Sequence, residues 1–342
     1  MLIALDATYS VGDALSGVGV YSNHILAGVP ALHGESRFLF CYRPHRYGRA
    51  LRQRLPSNCR RFLLHDRFHV PSRVDIFHGL NQRLPDKRLK RAVSTFHDLF
   101  VMTGEYSTPE FRSRFSEQAR RAAERSDLII TVSQFTADQA AALLNVERSR
   151  LRVVHHGVDW PTTTIAVPRE NIVLNVGAIQ ERKNTSRLVE AFERMPRDWR
   201  LVLAGSSGFG AAQILERIQA SSARDRIDVT GYLTEQDLER LYARASIFAF
   251  PSLDEGFGMP VLEAMARGVP VIASNRSALP EVAGDAALLI DPIDTDALAT
   301  TMQRLIDPHQ RDALMQKGLL RAAEFTWNSA AEKTWAVYRE MV

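Results

Sequence analysis

Apolar runs a few residues long alternate with amphipathic stretches from one end of the chain to the other, and few folds tolerate that rhythm. In the first half the runs at 2–6, 37–42, 60–64, 74–78, 92–96, 128–132 and 151–155 read as strands. Segments 18–30, 109–125 and 134–143 read as helices. Alternation of this kind argues for α/β domains built on parallel sheets. The period fails over 157–171, where Pro161, Thr162 to Thr164 and Pro168 mark a linker. It then restarts, with strands at 172–177, 200–205, 227–230, 246–250 and 269–273 and helices at 184–194, 210–220, 235–244 and 260–267. The expectation is two doubly wound Rossmann-like domains, 1–165 and 166–327, facing each other across a cleft at the carboxyl ends of their sheets. The length of 342 residues agrees with two domains of roughly 150 residues each.

Hydrophobic residues make up 45% and charged residues 24%, enough to build ordinary cores without staples. The only cysteines, Cys41 and Cys59, form no CxxC pair, so neither a disulfide framework nor a thiolate metal site is indicated. His65-x3-His69 has no third ligand nearby, which leaves metal binding unsupported. Met1 to Asp6 lacks the basic start of a signal peptide and reads as a buried strand. No run approaches the roughly 18 apolar residues of a membrane span. A cytoplasmic protein is expected, with peripheral contact at the inner face of the plasma membrane left open. The net charge of +4 is unevenly spread: residues 1–165 hold 23 Lys and Arg against 15 Asp and Glu. That basic half can attract an anionic acceptor or anionic lipid. Nucleic acid is not expected, because no nucleic-acid module accompanies the charge.

The richest stretch runs from Pro251 through Glu255-Gly-Phe-Gly-Met-Pro-Val-Leu-Glu263 to Ser274. A strand ends at Pro251, a glycine loop follows, and Pro260 opens a helix. Amide groups at that helix start can hold a phosphate, and Gly256 and Gly258 let the backbone approach a ligand closely. Glu255 in the loop can reach a sugar ring, while Glu263, one turn into the helix, can accept two hydrogen bonds from ribose hydroxyls. The bland alternatives are a loop carboxylate in water and a carboxylate that favours the helix dipole.

This stretch resembles the Glu-x7-Glu motif of retaining glycosyltransferases of the GT-B fold, in particular the mannosyltransferase-like members of glycosyltransferase family 4. The similarity runs from about Val173 to Trp327, with shorter matches in the N-terminal half. The resemblance implies sugar transfer from a nucleotide donor with retention and without a bound metal or other cofactor. The donor is then held mainly by the second domain and the acceptor by the first. Donor contacts are implied for Gly256, Phe257, Gly258, Met259, Val261, Leu262 and Glu263.

Val176-Gly177-Ala-Ile-Gln-Glu-Arg182-Lys183-Asn184 follows a strand and matches the family's Arg-Lys pair. A departing diphosphate needs positive charge, which Arg182 offers as a planar fork and Lys183 as a point charge. Ser16-Gly17-Val18-Gly19 resembles the family's phosphate-contacting loop, with Ser16 where a glycine is often found. His97-Asp98-Leu99 resembles the His-Asp-Leu of mannosyltransferase-like members. It suggests His97 as a donor-sugar or catalytic group and Asp98 as an acceptor-side group. His78 and Asn81 belong to a similar strand end. Thr131-Val-Ser133 fits a helix cap, and His156 stands where the family commonly has Asn. Gly205-Ser-Ser-Gly208-Phe-Gly210 can line the nucleotide pocket but lacks the P-loop Gly-Lys-Ser/Thr. Phe325-Thr-Trp327 and the helix over about 328–342 resemble the family's end segment, which crosses back to the first domain.

Glu255, His97, Arg182 and Lys183 are the candidate catalytic set. No carboxylate is placed for a double displacement of the glycosidase kind. A front-face route, in which the leaving phosphate takes the acceptor proton, fits better. The resemblance leans towards GDP-mannose, with a UDP-sugar open. It also leans towards a glycan or polyprenyl-diphosphate-linked acceptor in surface polysaccharide synthesis. The competing readings are a sugar-nucleotide epimerase on the same fold, since fold alone does not decide chemistry, and a non-catalytic sugar-nucleotide-binding protein.

Overall fold

The computed structural model describes residues 1–12, 15–161 and 167–342. Thr162 to Thr164 of the expected linker, and the expected boundary between 165 and 166, lie outside them. The chain forms two compact units, Met1–Gly157 with Phe325–Val342, and Val158–Glu324.

The first unit is built on a sheet of β1 (Leu2–Asp6), β2 (Arg37–Tyr42), β3 (Cys59–Leu63), β4 (Ile76–Gly79), β5 (Ala92–Phe96), β6 (Leu128–Thr131) and β7 (Leu151–Val153). Their order is β3-β2-β1-β4-β5-β6-β7. Every pairing is parallel, with Ile3 set between Phe38 and Ile76. The helices are α1 (Gly17–Leu32), α2 (Pro44–Ala50), α3 (Phe100–Thr103), α4 (Pro109–Arg125) and α5 (Gln134–Leu144). Sequence chemistry explains their ends. Thr108 accepts from the Phe111 amide with Pro109 opening α4, and Ser133 accepts from the Thr136 amide at α5. Asn145, left-handed at φ 53°, closes α5. Trp335, Val337 and Tyr338 of the last helix of the chain pack with Ile3, Tyr21 and Ile25 in this unit's core.

The second unit holds β8 (Glu170–Val176), α6 (Thr185–Phe192), β9 (Arg200–Ala204), α7 (Ala211–Gln219), β10 (Ile227–Gly231), α8 (Glu235–Arg244) and β11 (Ala245–Phe250). Then come α9 (Met259–Ala266), β12 (Val271–Ser274), α10 (Leu279–Ala283), β13 (Ala287–Ile290), α11 (Thr295–Arg304) and α12 (Pro308–Ala323). The last helix, α13 (Trp327–Arg339), belongs to the first unit. The second sheet is also parallel, in the order β10-β9-β8-β11-β12-β13. β8 starts two residues before the expected strand because Glu170 pairs with Ala245 and its carboxylate binds Arg244. β12 starts after Pro270, which has no N–H for a ladder and only accepts, from Phe248. β13, α11 and α12 were not anticipated from the sequence.

Each strand order reverses once, between β1 and β4 in the first sheet and between β8 and β11 in the second. Ligands of open α/β sheets bind at such points, outside the carboxyl ends of the strands. No helix among the described residues is long and apolar enough to cross a membrane.

Candidate functional site

At the reversal point of the second sheet, the loop after β8 brings Arg182 and Lys183 against Glu255 in the loop after β11. Lys183 Nζ lies 2.6 Å from Glu255 Oε1 and Arg182 Nη1 lies 3.0 Å from Oε2. All three side chains are buried. Arg182 also donates to the Asp254 carbonyl, and the Lys183 ammonium sits 4.6 Å from the Phe250 ring centroid. Burial alone would raise the Glu255 carboxyl. The two cations outweigh it and bring the carboxyl down to about 2. Glu255 is therefore ionised at neutral pH, with both oxygens committed to cations. The cluster carries one net positive charge in a nearly dry setting, where an anion's attraction to it is little screened.

The backbone around this cluster is tightly specified. Asn184 is left-handed at φ 58° and its amide donates to the carbonyls of Pro251 (3.1 Å) and Pro292 (2.6 Å), tying the β8 loop to the end of β11. Ser277, left-handed at φ 55°, accepts the Glu255 amide at 3.0 Å, and the Ala278 amide reaches the Glu255 carbonyl at 3.3 Å. A serine in that conformation is strained, the kind of cost found around functional loops. Gly205 sits so close to the β8 loop that a Cβ there would lie 2.0 Å from the Gly177 carbonyl oxygen. Gly258 has φ +102°, and a Cβ would lie 2.5 Å from the Leu279 side chain.

Gly258 is the cap of α9. Pro260 has no N–H and the Val261 amide bonds to the Gly258 carbonyl at 3.0 Å, so this helix start attracts anions more through its dipole than through a row of amides. Phe257, Val261 and Leu262 are buried, while Met259 and Glu263 are partly exposed. Glu263 accepts from the Tyr242 hydroxyl at 3.0 Å. Burial raises its carboxyl above the usual range, although Arg267 and the Tyr242 bond pull the other way.

In the first unit, His97 follows β5 and donates from Nε2 to the Leu80 carbonyl at 2.9 Å. A carbonyl only accepts, so the proton sits on Nε2 and Nδ1 keeps its lone pair. Burial lowers the ring to about 4, so it is neutral at pH 7. Tyr21, in the first turns of α1, packs edge-on against His97 at 4.7 Å, which brings the Gly17–Gly19 end of that helix beside the histidine. Gly19 has a packing reason of its own: a Cβ would lie 2.9 Å from the Tyr9 carbonyl oxygen. His78 is sealed, with Nδ1 2.6 Å from the Tyr338 hydroxyl and Nε2 2.8 Å from Thr95 Oγ1, itself 3.0 Å from the Tyr21 hydroxyl. Asp98 is partly exposed. His156 is buried and stacks 5.4 Å from His97.

Arg182, Lys183, Gly205 and the Glu255–Glu263 stretch thus belong to the second unit, and Gly17, Gly19, His97 and Asp98 to the first. Asn184, Ser277, Tyr242 and Tyr21 shape these sites without a sequence signal of their own. Each acts through a partner that only the fold brings near.

Two parallel sheets, each reversing its strand order once and carrying these loops there, define a GT-B fold. The model for "Glycosyl transferases group 1" matches residues 163–318 and that for "Glycosyltransferase Family 4" residues 19–160. O-antigen chain mannosyltransferase B of Escherichia coli is 34% identical over 291 residues, 77% of this chain and 74% of that protein. The MMP alpha-(1->4)-mannosyltransferase of Mycolicibacterium hassiacum is 35% identical over 241 residues, 67% of this chain and 57% of that protein. Sucrose-phosphate synthase from Thermosynechococcus elongatus shares the fold, with a TM-score of 0.80 at 22% identity over 99% of this chain and 98% of that one. The glycosyltransferase WaaG shares it with a TM-score of 0.72 at 16% identity over 99% of both chains. The chain belongs to glycosyltransferase family 4, a family of retaining enzymes.

Proposed function

We propose that this enzyme transfers a hexose, with mannose favoured, from a nucleoside-diphosphate sugar to a glycan or lipid-linked glycan during surface polysaccharide synthesis. GDP-mannose is the preferred donor and a UDP-sugar the alternative. The observation that carries this reading is the buried Arg182–Glu255–Lys183 cluster at the reversal point of the second sheet. The similarity to a curated O-antigen mannosyltransferase supports the choice of mannose and of a surface-glycan acceptor.

Arg182 and Lys183 attract the donor diphosphate and stabilise the charge it gains as the bond from the sugar anomeric carbon to phosphate oxygen breaks. The α9 dipole near Gly258 supplements them. Glu255 holds the two cations in place, and its proposed second role is to meet the sugar. With both oxygens engaged, it is poorly suited to attack that carbon. The acceptor hydroxyl bonds to the carbon on the face the phosphate leaves, and its proton passes to the departing phosphate. Neutral His97 offers the Nδ1 lone pair to a sugar hydroxyl, and Asp98 serves the acceptor side. Glu263 binds the ribose.

The test is a transfer assay with GDP-mannose, UDP-glucose and UDP-galactose on a polyprenyl-diphosphate-linked glycan, with the product anomer read by NMR. An α-mannosyl product formed from GDP-mannose supports the reading. A donor epimerised without acceptor, or nucleotide binding with no turnover on any acceptor tried, contradicts it.

A further inference from the structure

We propose that Tyr242 is a positioning residue that makes Glu263 competent to bind ribose. The inference rests on the assignment of Glu263 to the ribose hydroxyls. Tyr242 is buried near the end of α8, 21 positions before Glu263 in the chain. Its ring has two fixed neighbours. Phe248 lies 6.0 Å away between centroids, and the Arg267 guanidinium lies 5.2 Å from the ring centroid. Arg267 is itself fixed, since its Nε lies 2.9 and 3.0 Å from the two carboxylate oxygens of Glu239. Its Nη1 reaches the Glu263 carbonyl at 3.1 Å. The backbone carbonyl of Tyr242 accepts from Arg169 at 3.1 Å. Ring and backbone are both pinned, so the hydroxyl has one place to point.

That hydroxyl donates to Glu263 Oε2 at 3.0 Å. A phenol has one proton and a carboxylate two oxygens. Tyr242 therefore occupies Oε2, restrains the Glu263 side chain and leaves Oε1 for a ligand. Among the described residues no side-chain or backbone donor is bonded to Oε1. An oxygen held in that way can accept from both hydroxyls of a vicinal diol. Without the tyrosine hydroxyl, a flexible glutamate would have to be ordered by the ligand itself, a cost that corresponds to about tenfold in affinity. No motif marks Tyr242 in the sequence, because its role depends on the fold bringing the end of α8 within hydrogen-bond reach of α9.

The experiment compares wild type, Tyr242→Phe and Glu263→Ala by calorimetry with GDP, UDP and their 2′,3′-dideoxy forms, and measures donor KM and kcat in the transfer assay. Tyr242→Phe removes one oxygen and keeps the ring packing; thermal unfolding of the ligand-free variants checks the fold. The expected result is that Tyr242→Phe weakens the ribonucleotide that wild type binds by about tenfold. It weakens the dideoxy form by less than about twofold and raises donor KM with kcat nearly unchanged. Equal weakening of both forms, or no weakening, overturns the role of Tyr242. If Glu263→Ala keeps the wild-type preference for ribose, the ribose assignment itself falls. If Glu263→Ala abolishes that preference while Tyr242→Phe preserves it, only the tyrosine inference falls.

Discussion

Glu255 is a carboxylate whose two environments oppose each other. Burial penalises its charge, and Arg182 and Lys183 more than restore it. Its folded value of about 2 lies below the usual 4.5, so its stabilising contribution is complete above pH 4.5 and is lost as pH falls towards 2. Glu255→Gln should cost stability on the order of 3 kcal/mol at pH 7, most of it from leaving two buried cations uncompensated. The difference from wild type in chemical denaturation should shrink steadily between pH 4.5 and the acid limit. A gap independent of pH would show that Glu255 is not held ionised by its partners. The sequence marked Arg182, Lys183 and Glu255 separately, by their places after strands. Their mutual pairing, with Lys183 and Glu255 72 positions apart in the chain, was not legible, because it depends on β8 lying next to β11. The same limit hid Ser277, whose strained backbone serves a residue on the neighbouring loop.

At the level of elements, Arg169 has the clearest structural task. Its guanidinium donates to the carbonyls of Tyr242 (3.1 Å) and Ala245 (2.6 Å) at the end of α8. It also donates to those of Arg267 and Gly268 (both 2.8 Å) at the end of α9. Helix ends leave such carbonyls without internal partners, and one planar fork serves both. Arg169→Ala should lower the stability of the second unit by about 2–4 kcal/mol. Lysine should recover less than half of the loss, since a point charge cannot span four acceptors. Thermal unfolding of both variants decides this, and equal behaviour of lysine and arginine would contradict it. Gly205→Ala tests the loops: a methyl group 2.0 Å from the Gly177 carbonyl should displace the Arg182–Lys183 segment and weaken nucleotide binding by more than tenfold. Most strands and several helices, α1 and α4 among them, were legible as periodic runs between glycine, proline and capping residues, whereas α12 was not, although it has 16 residues. Exceptions have physical causes. β13 has four residues, of which Leu288 is partly buried and Leu289 exposed, and so shows no clean period. α2 is a seven-residue helix with an exposed basic surface and little apolar pattern.

At the scale of the molecule, the two units should respond differently to acid. The first holds His78, His97 and His156 buried and neutral. Burial lowers His78 to about 3 and His97 to about 4, and puts His156 well below its usual range. In the unfolded chain these rings protonate near 6.5. Their effect is therefore absent above pH 6.5, and stability is lost as pH falls from there towards 4. Hydrogen exchange at pH 5 should show β4, β5 and α1 losing protection relative to pH 7, while β8, β9 and β11 hold theirs. Equal loss in both units would remove the histidines as the cause. The two-sheet plan was legible from the restart of the strand rhythm alone, whereas donor and acceptor chemistry depend on residues gathered from separate loops. The central claim is that the second unit holds a nucleoside diphosphate through Arg182 and Lys183. Calorimetric titration of wild type and Lys183→Ala with GDP, UDP and the corresponding monophosphates tests it most directly. The account predicts that Lys183→Ala weakens the preferred diphosphate by at least tenfold and its monophosphate far less. Unchanged diphosphate affinity in Lys183→Ala would contradict it.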